Sequence, residues 1–290
     1  MAKQGVANTA IGAAICRLIE QYQPDESRLF NDPIVGELVG TTFRFLMRFV
    51  SMRNLTMKQM DAITDGIYGA QVCRTRYIDD TVQNILSQRI KQVVILGAGL
   101  DTRAYRLPEM NRVKAFEVDL PIVQNAKRKK IKEYLGRLPE NITYAPIDFD
   151  TQTLETVLIE TTYDVSEPTL FIWEGVTQYI TEEAVREVLT FVGKSAPGSV
   201  IIFSYVLKSI IERRSDIPNA DKMMDSVAKR SPWIFGLEPS DLQAYLQPFH
   251  LALTADVENA YYQERYLKPL KRDLTVFKGE HMVQAVVTRP

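Results

Sequence analysis

Residues 92–106 read QVVILGAGLDTRAYR, Gln92 to Arg106, and the reading of this stretch decides the fold. The apolar run Val93-Val94-Ile95-Leu96 followed by Gly97-Ala98-Gly99 has the pattern of a strand buried on both faces that ends in a tight turn. Glycines at 97 and 99 let the backbone bend and approach a ligand without an intervening Cβ. Asp101 and Thr102 are suited to start a helix whose free N–H groups face whatever lies above the turn. A strand–Gly-x-Gly–helix unit points to a nucleotide-like cofactor. The third glycine of the dinucleotide fingerprint is missing, however, and an acid, Asp101, stands two residues past Gly99. A carboxylate there repels a pyrophosphate and suits a ligand with a positive centre, such as a sulfonium.

Working outward, strands and helices alternate. Val113–Val118 reads as a second strand, with Glu117 and Asp119 at its end, and Pro121–Leu135 as a basic helix. Asn141–Ile147 reads as a third strand ending at Asp148, Thr169–Trp173 as a fourth ending at Glu174, and Ser199–Val206 as a fifth. A helix opening at Thr181 separates the last two. This rhythm predicts a mostly parallel sheet with right-handed crossovers. Upstream, Thr9–Tyr22, Thr41–Met60 and Asp61–Gln88 read as helices, with Ile11, Ala14, Ile15, Leu18, Ile19 and Tyr22 on one face of the first. Downstream, residues 208–244 break the rhythm and read as a helical insert over the sheet's ligand edge, a candidate lid. Strand patterns return at Leu251–Val257, Leu274–Phe277 and Met282–Val287. The expected organisation is a single α/β domain: N-terminal helices over 1–88, a core over 89–207, the lid over 208–244, and C-terminal strands over 245–290.

The chain has 290 residues, 46% hydrophobic and 24% charged, with a net charge of −1. That balance gives no electrostatic case for nucleic acid or an anionic membrane. No signal-peptide core and no membrane-length apolar run are seen, and two cysteines make no disulfide scaffold, so a cytoplasmic protein is expected. Two histidines offer no His/Cys metal cluster, and no metal is expected.

Asp101, Asp119, Asp148 and Glu174 each follow a predicted strand, and strand C-termini converge on one edge of a sheet. Asp119 lies 22 residues beyond Gly97, the spacing at which an acid meets a ribose hydroxyl pair in dinucleotide folds. Asp148 is placed to accept from an adenine amino group.

Ile95-Leu96-Gly97-Ala98-Gly99-Leu100-Asp101-Thr102-Arg103, Phe116-Glu117-Val118-Asp119-Leu120-Pro121 and Trp173-Glu174-Gly175-Val176-Thr177-Gln178-Tyr179 together resemble the leucine carboxyl methyltransferase family. The resemblance is to its bacterial branch of small-molecule, polyketide-type O-methyltransferases. Asn31-Asp32-Pro33 and Arg74-Thr75-Arg76-Tyr77-Ile78-Asp79-Asp80 match that branch in the same order, so the likeness runs from about Thr9 to Ile202. Glu-Gly-Val stands here where the family has Glu-Gly-Leu. The resemblance implies a Rossmann-like class I methyltransferase fold with a seven-stranded sheet, and S-adenosyl-L-methionine as cofactor, leaving S-adenosyl-L-homocysteine as product. It implies that Gly97, with Gly99 and Asp101 in the same turn, approaches the methionine part. Asp119 with Leu120 would take the ribose, Asp148 and Phe149 the adenine, and Glu174 the methionine ammonium. Arg76, or alternatively Arg74, would clamp the methionine carboxylate with help from Arg17. An ion pair of Arg76 with Asp79 or Asp80 is the structural alternative.

An activated sulfonium needs an aligned nucleophile and the exclusion of water. A carboxylate acceptor is already ionised, whereas a hydroxyl usually needs a base. His250 and His281 lie far along the chain, which favours methyl-ester formation on a small molecule. Tyr179 is a possible substrate contact. A protein C-terminus as acceptor, and a nicotinamide-dependent oxidoreductase, remain the other readings. The oxidoreductase lacks both its third glycine and a Tyr-x-x-x-Lys pair.

Overall fold

The computed structural model describes residues 2–148, 151–229 and 231–288, with side chains from residue 10 onward. Seven strands form one sheet: β1 (Gln92–Leu96), β2 (Lys114–Asp119), β3 (Ile142–Pro146), β4 (Thr169–Trp173), β5 (Val200–Val206), β6 (Leu251–Val257) and β7 (Glu280–Val287). Their order across the sheet is β3-β2-β1-β4-β5-β7-β6. β1 to β5 pair in parallel, and β7 inserts antiparallel between β5 and β6. β1, β4 and β5 are buried throughout, as their uninterrupted apolar sequences require when helices cover both faces. After β1 the chain builds outward to β2 and β3, then returns to β4 on β1's other side. That reversal opens a crevice at the C-terminal ends of β1 and β4.

The N-terminal segment is not an appendage. The helices Ala2–Glu20 and Ile67–Leu86 pack on the sheet, and Ile15, Leu18, Ile19, Val72, Ile78 and Val82 join the same buried cluster as Val93, Ile95 and Ile172 of the strands. Ile11, expected on the packed face, is 39% exposed.

Four other expectations change. The 41–60 stretch is two helices, Thr41–Leu46 and Val50–Asp61, with Phe43, Phe45 and Phe49 exposed. The following helix starts at Ile67, because Gly66 adopts a left-handed conformation with φ 75°. Leu274–Phe277 is no strand. Its backbone lies against the start of that helix, where Phe277 N–H donates to Gly66 O (3.0 Å). The 208–244 insert is helical only at Lys208–Ile211, Ala220–Ala228 and Leu242–Leu246, and Leu237 bridges in parallel to Leu207 just past β5.

Candidate active site

The glycine turn after β1 holds Gly97 and Gly99 at φ 63° and 41°, a region that favours glycine. A Cβ at Gly97 would sit 2.5 Å from Val176 Cγ2, so the turn, together with the loop after β4, leaves no room for a side chain. Beyond the turn, Asp101 accepts the Arg103 N–H (2.7 Å), and the expected helix is one turn, Arg103–Arg106, before Pro108 opens a short 3₁₀ segment.

Asp119 ends β2 at 7% exposure, and its carboxylate ties two loops. Oδ2 accepts from Gly99 N–H (2.5 Å) and Oδ1 from Leu120 N–H (2.6 Å). Burial raises its pKa, opposed by those two N–H groups. Beneath the turn, Lys127 is fully buried, pairs with Glu117 (2.7 Å) and reaches toward Ala98 O (3.4 Å). Glu117, two positions short of the strand end, is therefore held beneath the turn by Lys127 and does not line the crevice, whereas Asp119 does.

A cavity of about 610 Å³ opens above the turn. Among the described residues it is lined by five carboxylates, those of Asp101, Asp119, Asp148, Glu174 and Glu280, against the guanidiniums of Arg17, Arg74 and Arg103. Gly97, Gly99, Leu120 and Tyr179 also line it. All four acids expected at strand ends thus share one space. Phe149 lies outside the described residues.

The arginine assignment needs correcting. Arg76 does not line this cavity; its Nε donates to Asp80 (2.7 Å), its Nη1 donates to Leu29 O (2.6 Å), and it borders a separate cleft. Successive residues on a helix point about 100° apart, so 74 and 76 cannot serve the same space. Arg74 is the one turned inward. It bridges Glu174 (2.8 Å) and Glu280, and also donates to Gln71 Oε1 (2.8 Å). Arg17 donates to Asp32 Oδ2 (2.8 Å), Thr102 Oγ1 (3.0 Å) and Leu100 O (2.6 Å), so it braces the turn from behind.

Three contributors were missed from sequence. Arg103, 2% exposed, pairs with Asp79 (2.8 Å), Asp101 (2.6 Å) and Glu174 (2.6 Å). Arg106 continues the chain of pairs to Asp79 (2.7 Å) and Asp32 (3.8 Å). Glu280, the first residue of β7, comes from nearly two hundred positions downstream of the turn, and no local motif marks it. Burial works to raise the Glu174 pKa, but Arg103 and then Arg74 hold it at about 2. Burial likewise acts against the charge on Asp101, and Arg103, Lys127 and Arg17 overcome it, leaving that carboxyl well below its usual range.

This donor set fits S-adenosylmethionine, whose ammonium and sulfonium outnumber its one carboxylate. The excess of carboxylates over guanidiniums in the cavity lining complements that net positive charge, and the glycine turn admits close approach without phosphate-binding chemistry. Among the described residues, no group of three or more His, Cys, Asp or Glu could hold a metal, and no helix is long and apolar enough to cross a membrane.

Fold and site together define a class I S-adenosylmethionine-dependent methyltransferase. A methyltransferase structure from Thermobifida fusca superposes with a TM-score of 0.60 at 16% identity, covering 83% of this chain and 90% of that one. A DUF574 family protein from Streptomyces avermitilis gives 0.52 at 13% identity, covering 92% and 99%. The model of the leucine carboxyl methyltransferase family matches residues 10–193, and the chain belongs to that family. A Bacillus subtilis relative described as an S-adenosyl-L-methionine-dependent methyltransferase, YktD, is 27% identical over 218 residues, spanning 74% of this chain and 71% of that protein. Rv1729c of Mycobacterium tuberculosis, described in the same terms, is 32% identical over 209 residues, spanning 69% of this chain and 65% of its own length.

Proposed function

We propose that this chain transfers the methyl group of S-adenosylmethionine to an oxygen of a small, largely apolar acceptor. The observation that carries the reading is the convergence of Asp101, Asp119 and Glu174 on the glycine turn, inside a cavity that Met60, Ile63, Val206, Trp233 and Phe277 also line. When bound, the cofactor supplies an electrophilic methyl on a sulfonium. Asp119, already fixed by two N–H groups, keeps lone pairs free for ribose hydroxyls. Asp148 faces the adenine. Glu174, held ionised by two arginines, takes the ammonium, and Arg74 retains guanidinium N–H groups for the carboxylate.

A carboxylate acceptor yields a methyl ester and needs no base, which is the reading the sequence favours. A hydroxyl yields a methyl ether and needs a proton acceptor, and Glu280 in the cavity wall supports that second reading. Thermal-shift assays test the cofactor: S-adenosylmethionine and S-adenosylhomocysteine at 100 times Kd raise stability by about 2.7 kcal/mol, and NADH does not. A shift with NADH and none with either sulfur ligand overturns the proposal.

A further inference from the structure

We infer that Glu280 is the general base of the reaction and that the acceptor is a neutral hydroxyl compound rather than a carboxylate; this rests on the oxygen-acceptor reading above. Glu280 opens β7 and is paired in register with Val206 of β5, which itself lines the cavity. It is 8% exposed and lines the same space. Arg74 lies between Glu280 and Glu174, donating to both, and Glu280 lines the same cavity as the apolar Val206, Trp233 and Phe277. The other groups facing it are Ser204 on β5 and the Tyr262 phenol. Burial raises its pKa, Arg74 opposes, and Glu174 adds to the rise, which makes it a stronger base than a solvated carboxylate.

Charge counting points the same way. Carboxylates outnumber guanidiniums in the cavity lining, five to three, and Arg17 and Arg103 are already paired with Asp32 and Asp79. A carboxylate acceptor would add a further negative charge beside Glu280 at low dielectric, whereas a neutral hydroxyl adds none.

In the step itself, a Glu280 oxygen takes the proton of the acceptor O–H and the freed oxygen pair forms the C–O bond to the methyl carbon. The C–S bond breaks with its electrons passing to sulfur, which leaves a thioether, and Glu280 returns its proton to water after release.

Matched probes test this: 4-alkylphenols, 4-alkylbenzoates and 4-nitrophenol, with wild type and Glu280→Gln. In calorimetric binding with S-adenosylhomocysteine present, wild type prefers the phenol, and Glu280→Gln gains affinity for the benzoate by about tenfold or more, one charge contact being removed. In turnover, Glu280→Gln loses about 10²-fold or more on 4-alkylphenols and much less on 4-nitrophenol, whose proton is largely gone already. Glu280→Asp, which keeps the charge and shortens the reach, controls for loss of the Arg74 pair and recovers part of the rate. Equal loss on both phenols, unchanged benzoate affinity in Glu280→Gln, or methylation of benzoates in preference to phenols overturns the inference. Turnover of neither probe class with S-adenosylmethionine bound overturns the oxygen-acceptor reading, and this one with it.

Discussion

At Asp119 each carboxylate oxygen already holds a backbone N–H, from Gly99 on one side and Leu120 on the other, so the residue proposed to face the ribose also sets the shape of the turn. Hydrogen bonds to a charged group contribute about 1.5–3 kcal/mol each. Asp119→Ala should therefore raise the Kd for S-adenosylmethionine by about tenfold or more in titration calorimetry, while circular dichroism and a cooperative melt show the fold retained. Unchanged affinity would remove the ribose role. This residue was legible from its distance to Gly97 and its place at a strand end. Which arginine lines the cavity was not, because Arg74 and Arg76 share a motif and only the rotation of their helix separates a buried hub from a surface pair with Asp80. Glu280 was illegible for a different reason: it reaches the crevice through an antiparallel strand inserted last, which no periodicity places beside β5.

Among the elements, the parallel strands were readable because burial on both faces forces continuous apolar sequence, and β4 matches Thr169–Trp173 residue for residue. The 274–277 stretch carries a strand pattern for another cause. Its backbone packs on Gly66 and Gly69 at the start of the helix that carries Arg74, and Val276 and Phe277 are buried there. A Cβ at Gly69 would overlap the Thr275 carbonyl oxygen. Gly69→Ala should cost about 1–3 kcal/mol in chemical denaturation and loosen the helix above the cavity. A stability equal to wild type would mean that this contact yields freely. The 208–244 insert was half legible: charge and aromatic content marked an excursion from the sheet, but only three short helices form within it.

For the whole molecule, two free thiols report on burial. Burial pushes Cys16 and Cys73 from 9.0 to about 12. Because the folded state holds these protons more tightly than the unfolded chain, their stabilisation is complete below pH 9 and is lost as pH rises from 9 toward 12. Denaturation midpoints should fall across that window, with a shallower fall in Cys73→Ala; an identical slope in the variant would exclude the thiol as a source. Composition announced a chain able to bury a large core, but the two ends of the chain meeting around one crevice could not be read from order alone.

The alternating run Glu280–Arg74–Glu174–Arg103–Asp79–Arg106–Asp32–Arg17 joins the last strand, the glycine turn and the first helix without following the covalent chain. Arg272 and Glu20, 252 positions apart, add a further clasp at 2.5 Å. Neither terminus is modular, in consequence. A boundary drawn near residue 88 would sever buried charges from their partners, and each orphaned charge in such a site costs several kcal/mol. The helices ahead of β1 and the strands after β5 are therefore bound to unfold as one cooperative body, and the crevice has no existence apart from either.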